Sequence, residues 1–255
     1  MKRLLKIVFV LVPYILHAYF KWILRYALNK DKYPLSLRFY KTQELIRHVL
    51  KGLYLNISEK GIEEVYKNDE KFFGTCNHQS DADPLLLIAV AKRPISFIAK
   101  KEVKKMPFIG KVFYLLDGKF IDRKDLKSQI KILNEVEEDL KNQVKDWVIF
   151  PEGTRNKNPT KDILVPFHHG TFKIPLKSGV RMVNFAAYGT FRSLHFLNYL
   201  KPNLPIQIEA IGDYKFNEFK NETSQTLTEK VYSITYKKVE ELKANDSVLI
   251  ENIND

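Results

Sequence analysis

The chain has 255 residues, of which 45% are hydrophobic and 28% are charged, and its formal net charge at pH 7 is +12. This composition excludes an intrinsically disordered chain, and the length is enough for one or two domains with a hydrophobic core. A single cysteine, Cys76, excludes an internal disulfide and a cysteine-built metal site. A chain with this much positive charge is expected to bind an anionic partner: nucleic acid, an acidic membrane surface or a phosphorylated substrate.

The positive charge is concentrated in the N-terminal half. Residues 1–32 and residues 92–111 each contain seven basic residues and one acidic residue, a net charge of +6, whereas residues 205–255 carry −4. A run of lysines is ordinarily a solvated face, so the charge of residues 92–111 alone does not distinguish a binding surface from a solvated one.

The first predicted element is an apolar segment at residues 7–20, IVFVLVPYILHAYF. Fourteen residues are fewer than the ~20 of a spanning helix and are more typical of an interfacial segment. No small-x-small cleavage site follows, which argues against a signal peptide. Lys21, Trp22 and Tyr26 suit the headgroup level of a bilayer. Residues 1–35 are therefore predicted to be a membrane-associated helical segment, peripheral or shallowly inserted; a core helix with basic ends is the alternative.

The rest of the chain alternates predicted helices and strands. Apolar periodicity predicts helices at residues 36–51, 84–91 and 125–145 and after Asn221. Short apolar or β-branched runs predict strands at residues 71–76, 94–99, 119–121, 147–150, 180–188 and 206–211. This alternation, with no repeat or Gly/Ser linker, predicts that residues 36–255 form a single α/β domain, a central mixed sheet flanked by helices.

The first group of residues that could carry chemistry is NHQSDADP, residues 77–84, directly after a predicted strand. A carboxylate five residues after His78 can reach one imidazole nitrogen across the strand-to-helix turn and leave the other free as a general base. The alternative is that Asp83 caps the helix that Pro84 begins, without any catalysis. The spacing alone leaves both interpretations open.

Three later groups also follow strands or turns. GKFIDR, residues 118–123, ends in an arginine whose planar fork suits phosphate oxygens, but a surface ion pair explains it equally well. FPEGTR, residues 150–155, places a carboxylate, a glycine and an arginine in one turn. VPFHHG, residues 165–170, has turn chemistry and little else by itself.

In order and spacing, NHQSDAD, GKFIDR and FPEGTR resemble the first three motifs of the glycerolipid acyltransferase family. That family includes bacterial 1-acyl-glycerol-3-phosphate acyltransferases and glycerol-3-phosphate acyltransferases. The similarity is clearest over residues 71–189, and FIAKKEVKKMPFIG also resembles the segment between the family's first two motifs. Three motifs in order are much more specific than any one of them.

The resemblance implies a role for each matching residue. His78 would be the general base and Asp83 would orient and stabilise its imidazole. The residues implied in binding the acceptor are Arg123 with Gly118, Glu152, Gly153 and Arg155, with Lys100 as a further phosphate contact. No metal or other cofactor is expected, because the histidine chemistry needs none and the sequence shows no cluster of metal ligands. Acyl-CoA or acyl carrier protein would enter as a co-substrate.

The implied reaction is acyl transfer to the sn-2 hydroxyl of lysophosphatidic acid, giving phosphatidic acid, at the cytoplasmic face of the cell membrane. An anionic membrane surface and an acyl carrier protein or CoA thioester are the implied partners. Glycerol-3-phosphate or another lysophospholipid remains an alternative acceptor. A non-catalytic basic membrane-binding protein would share the charge but has no need of three intact motifs. No signature of nucleic-acid binding is present, so no nucleic-acid partner is expected.

The fourth motif departs from the family pattern. In GVRMVNFAAYG, Arg181 and Asn184 stand where family members usually have proline. His168 and His169 stand where lysine or arginine is commoner. The departure leaves the reaction type unchanged but bears on the preference for acceptor or acyl chain, and the sequence offers no physical account of Arg181.

Overall fold

The computed structural model describes residues 5–106, 108–193 and 204–254. Within them, seven strands form one mixed sheet, which confirms the predicted α/β fold. The strands are β1 (Leu55–Lys60), β2 (Phe72–Cys76), β3 (Ile95–Lys100), β4 (Lys119–Ile121), β5 (Asp146–Ile149), β6 (Arg181–Tyr188) and β7 (Leu204–Tyr214). Their order is β1-β7-β6-β2-β5-β3-β4, and every neighbouring pair is parallel except β6 and β7. The sequence prediction missed β1, a largely exposed edge strand whose LNISEK lacks an apolar run.

The helices cover both faces of the sheet. They are α1 (Ile7–Leu28), α2 (Leu35–Gly52), α3 (Ile62–Val65), α4 (Asp83–Val90), α5 (Ile109–Leu115), α6 (Leu126–Lys141), α7 (Lys173–Ser178) and α8 (Ser224–Asn254). Helices α2 to α5 pack on one face and α6 to α8 on the other. The buried strand β2 alternates between the two layers, with Phe72 on the first face and Phe73 on the second.

Helix α1 packs along the outside of the first layer. Its buried side chains, among them Ala18 and Ile23, contact Leu45 of α2 and Leu115 of α5. Its opposite side exposes a second apolar stripe: Phe9, Val12, Leu16, Phe20 and Leu28. With 22 residues, α1 is long and apolar enough to cross a membrane, by length and composition alone. The boundary at residue 35 between the N-terminal segment and the α/β domain stays a prediction. It coincides with the first residue of α2, Leu35.

Helix α6 differs from its prediction. Asp125 caps its N-terminus by accepting a hydrogen bond from the Ser128 N–H at 3.1 Å, but the helix ends at Lys141 and not at residue 145. Of its apolar face, Val136 and Leu140 are buried, while Leu126 and Ile130 remain at least half exposed. The N-terminal half is left uncovered because β4, the edge strand that α6 contacts, is only three residues long.

Candidate active site

The site is formed at one edge of the sheet. Because β2, β3, β4 and β5 run parallel, their carboxyl ends meet at the same edge, where α/β proteins commonly bind ligands. This carboxyl edge brings together His78 after β2, Lys100 at the end of β3, Arg123 after β4 and Glu152 after β5.

Gly118 is not brought together with these residues. It precedes β4 and therefore lies toward the opposite, amino edge of the sheet, where its N–H donates to the Phe113 carbonyl at 2.8 Å. A Cβ at this position would lie 2.9 Å from that carbonyl oxygen. The glycine therefore allows a close approach between the chain and the end of α5.

His78 and Asp83 form the pair that the spacing suggested. His78 Nδ1 lies 2.7 Å from Asp83 Oδ2, and the same oxygen accepts the N–H groups of Gln79 at 2.7 Å and Ser80 at 2.9 Å. Asp83 does not cap α4, which was the alternative interpretation. It is the first residue of that helix, and its carboxylate accepts hydrogen bonds from the loop that precedes it. Its partners hold the buried aspartate in one orientation toward the imidazole.

The imidazole of His78 is held from its face as well as its edge. It stacks on Phe150 with ring centroids 4.3 Å apart and an interplanar angle of 23°, and Phe97 stacks behind Phe150. The side chain keeps 17% of its surface exposed. Because Nδ1 is engaged by the carboxylate, Nε2 is the nitrogen that is left to accept a proton.

Glu152 is buried and bonds to backbone groups. Its Oε1 accepts the His78 N–H at 2.6 Å and its Oε2 accepts the Val165 N–H at 2.9 Å. Burial raises the pKa of this carboxyl to about 7, against the lowering effect of those two hydrogen bonds. The Asn156 N–H donates to the His78 carbonyl at 2.7 Å, so both backbone groups of His78 bond to this turn.

Three basic side chains lie exposed at the same edge. Arg123 donates to the Gly153 carbonyl through Nη2. Arg155 forms an ion pair with Asp81 at 2.6 Å and keeps half of its side-chain surface exposed. Lys100 ends β3 beside Ile121 of β4, two residues before Arg123. These three cations therefore lie at the same edge of the sheet as the His78–Asp83 pair.

Gly153 brings a residue into the site that the sequence analysis did not place there. Gly153 has φ +62°, and a Cβ on it would lie 2.9 Å from His168 Cδ2 and 3.4 Å from Arg123 Nη2. The His168 imidazole therefore lies beside Arg123. The only sequence signal was that a histidine replaces the commoner basic residue of the family.

Cys76, the last residue of β2, packs in the core beside this site. It is buried in the core, and burial raises the pKa of its thiol well above the usual range. No cluster of three or more His, Cys, Asp or Glu that could hold a metal occurs among the described residues.

The structure accounts for Arg181 of the unusual fourth motif. It begins β6 at the amino edge, buried, where Nη1 bonds Asp213 at 2.9 Å and Nη2 donates to the carbonyls of Val65 and Glu70. Asn184, further along β6, accepts a hydrogen bond from Thr75 Oγ1 at 2.9 Å. Both departures are therefore buried side chains with internal partners.

The sequence and fold are similar to those of known acyltransferases. The family model described as Acyltransferase matches residues 56–187. Proteins named 1-acyl-sn-glycerol-3-phosphate acyltransferase are similar: that of Saccharomyces cerevisiae is 29% identical over 206 residues, 76% of this chain and 66% of the relative. That of Escherichia coli is 27% identical over 167 residues, 65% of this chain and 66% of the relative. The chain thus spans just under two thirds of these relatives.

The solved structures include one with the same fold over nearly the whole chain. The crystal structure of the 1-acyl-sn-glycerophosphate (LPA) acyltransferase PlsC from Thermotoga maritima superposes with a TM-score of 0.73 at 23% identity. The match covers 95% of this chain and 97% of that one. With a family model that matches more than half of its residues, the chain belongs to the acyltransferase family.

Proposed function

We propose that this protein transfers a fatty acyl group from a thioester to the sn-2 hydroxyl of lysophosphatidic acid, giving phosphatidic acid. The observation that carries the proposal is the 2.7 Å His78–Asp83 pair at a sheet edge that also presents exposed cations. The names of the relatives support the same reaction.

His78 would act as the general base. Its Nε2 takes the proton of the acceptor hydroxyl as that oxygen attacks the thioester carbonyl, and the tetrahedral intermediate then expels the thiolate. The imidazolium returns its proton to the departing sulfur. Asp83 stabilises the imidazolium, and the N–H groups of Gln79 and Ser80 hold Asp83 in place. No acyl-enzyme is required, which is consistent with the buried, high-pKa Cys76 and the lack of a G-x-S-x-G sequence.

The exposed cations would bind the phosphate of the acceptor. Arg123 offers a planar fork for two phosphate oxygens, and Arg155 and Lys100 add charge at the same edge. Gly153 would shape this surface by allowing His168 to approach the turn closely, since a Cβ on Gly153 would lie 2.9 Å from His168 Cδ2. Acyl-CoA and acyl carrier protein both fit a basic surface as donors, and no other cofactor is proposed.

The outer stripe of α1 would lie on an anionic membrane at its cytoplasmic face, peripherally or shallowly inserted. Five large apolar side chains that the domain does not cover supply the contact, and Lys21 and Arg25 suit an acidic headgroup layer. Glycerol-3-phosphate is the second candidate acceptor, because the same cations would bind its phosphate. The uncovered stripe of α1 favours the lipid, which reaches the site from the bilayer.

The test is acyl transfer in detergent micelles with lysophosphatidic acid, glycerol-3-phosphate and lysophosphatidylcholine as competing acceptors. Acyl-CoA and acyl carrier protein thioesters are compared as donors. Phosphatidic acid formed by the wild type and not by His78→Ala is the expected result. If another acceptor is preferred, the proposed mechanism stands but lysophosphatidic acid is not the substrate. If the folded protein transfers an acyl group to none of the acceptors, the proposal is overturned.

A further inference from the structure

Glu152 has contacts that do not suit a residue that binds substrate. The family resemblance groups it with the acceptor pocket, yet only 1% of its surface is exposed. Both carboxylate oxygens are occupied, one by the His78 N–H and the other by the Val165 N–H. A substrate hydroxyl would have to displace one of these charge-assisted hydrogen bonds, and its path to the carboxylate is closed.

The same contacts tie the general base to the turn at residues 152–156. His78 follows β2 and Glu152 follows β5, two strands that pair as neighbours up to Thr75 and Ile149. Beyond that pair, Glu152 binds the His78 N–H and the Asn156 N–H binds the His78 carbonyl. Both backbone groups of the residue that carries the base are therefore bonded to this turn, while the Asn77 side chain before it bonds Ala187 of β6.

Val165 extends the connection to a third segment. Its N–H holds the second oxygen of Glu152, and three residues later the His168 N–H donates to the Pro151 carbonyl at 2.9 Å. The carboxylate is therefore fixed from both sides, so it can hold the His78 backbone in place. Burying a carboxylate is costly, and the two backbone donors offset part of that cost.

We propose that Glu152 is a positioning residue, which acts on catalysis through the backbone of His78 and does not contact the acceptor. This inference rests on the proposed function for His78. Its consequence is a specific kinetic pattern, since displacing a catalytic group by about 1 Å costs on the order of 10²-fold in rate while leaving remote substrate contacts unchanged.

The test compares Glu152→Gln with wild type. The glutamine amide has one acceptor oxygen, so the hydrogen bond from either the His78 N–H or the Val165 N–H is lost, although the side chain keeps almost the same shape. We expect kcat to fall about ten-fold or more while the acceptor KM stays within about two-fold. Arg155→Ala should show the reverse pattern, and the exposed Glu138→Gln, the same chemical change on α6, should alter neither. A raised KM with an unchanged kcat for Glu152→Gln would mean that Glu152 contacts the acceptor.

Hydrogen exchange gives a readout that needs no turnover. In Glu152→Gln the His78 or Val165 amide should exchange faster than in wild type, while the Gly74 amide inside β2 keeps its protection. Unchanged exchange at both amides would overturn the inference even if kcat fell. If wild type transferred nothing to any acceptor, the proposed function would fail and the exchange result would still decide whether Glu152 holds this backbone.

Glu152→Asp serves as the second variant if the glutamine variant does not fold. It keeps the charge but is one methylene shorter, so it cannot reach both amides. The same loss of kcat at a nearly constant acceptor KM is expected. Wild-type kinetics for Glu152→Asp would overturn the inference.

Discussion

The two edges of the central sheet use similar residue types in opposite ways. At the amino edge, the guanidinium groups of Arg93 and Arg181 lie 5.7 and 5.5 Å from the Phe72 ring. Arg93 bonds the buried carboxylate of Asp146 at 2.6 Å, and both arginines donate to the Glu70 carbonyl. Their hydrogen bonds go to the protein itself, so this edge binds strands and loops together.

At the carboxyl edge, the two arginines of the second and third motifs, Arg123 and Arg155, are exposed. Arg123 donates to a single backbone carbonyl, and Arg155 pairs with a half-exposed aspartate. An arginine fork has five N–H donors, so these side chains keep donors for a ligand. The difference shows that an arginine in a motif indicates binding only when the fold leaves its donors exposed. The unusual Arg181 fails that criterion.

Among substitutions that distinguish a catalytic carboxyl edge from a structural amino edge, His78→Ala should have the largest effect. Loss of the general base should lower kcat by about 10²–10⁴-fold. Removal of an imidazole that stacks on Phe150 and pairs with Asp83 should also lower the urea midpoint of unfolding, but the variant should still unfold cooperatively. Both are measured on the same preparation. Full residual turnover would remove His78 from the mechanism.

The free energy of unfolding should depend on pH because Glu152 is buried at the carboxyl edge. The pKa of Glu152 is raised to about 7 from an ordinary value of 4.5, so between these values the folded protein binds more protons than the unfolded chain. Its contribution to the free energy of unfolding is therefore present below about pH 4.5 and lost as the pH rises through about 7, by roughly 3 kcal/mol.

Urea unfolding of wild type and Glu152→Gln at pH 5, 6, 7 and 8 measures this contribution. Asp146 at the amino edge also has a pKa raised by burial, but it is present in both proteins and cancels in their difference. A difference that does not change with pH would contradict the raised pKa of Glu152.

Arg181→Met tests the amino edge. Removing the guanidinium leaves Asp213 and the Val65 carbonyl without this partner, whereas the Glu70 carbonyl keeps Arg93, so the free energy of unfolding should fall by about 2–3 kcal/mol. The acceptor KM should not change, because Arg181 lies at the other edge. A changed KM with unchanged stability would mean that the altered fourth motif does affect the substrate site.

Arg123→Ala is the matched change at the carboxyl edge. Loss of a charge-assisted phosphate contact should raise the acceptor KM about ten- to hundred-fold, with little change in the urea midpoint because the side chain is exposed. Steady-state kinetics with the acceptor varied measure it. An unchanged KM would remove Arg123 from phosphate binding.

Much of the fold follows from short-range patterns in the sequence. Alternating strand and helix periodicities predicted the α/β sheet, and six of the seven strands of the described residues were placed within about three residues of their ends. Edge strand β1 was missed because it lacks an apolar run, and the apolar stripe of α6 is buried only toward its C-terminal end, at Val136 and Leu140. Periodicity specifies which side of an element is apolar, but not what covers that side.

The sequence by itself determined the order of the motifs, the His78–Asp83 spacing and the excess of positive charge near the N-terminus. Only the tertiary structure decided the partners of Glu152 and Arg181. Glu152 bonds a residue 74 positions away, and Arg181 a carbonyl 116 positions away. Local sequence does not specify contacts at such separations, because they form only when packing of the whole sheet brings the two segments together.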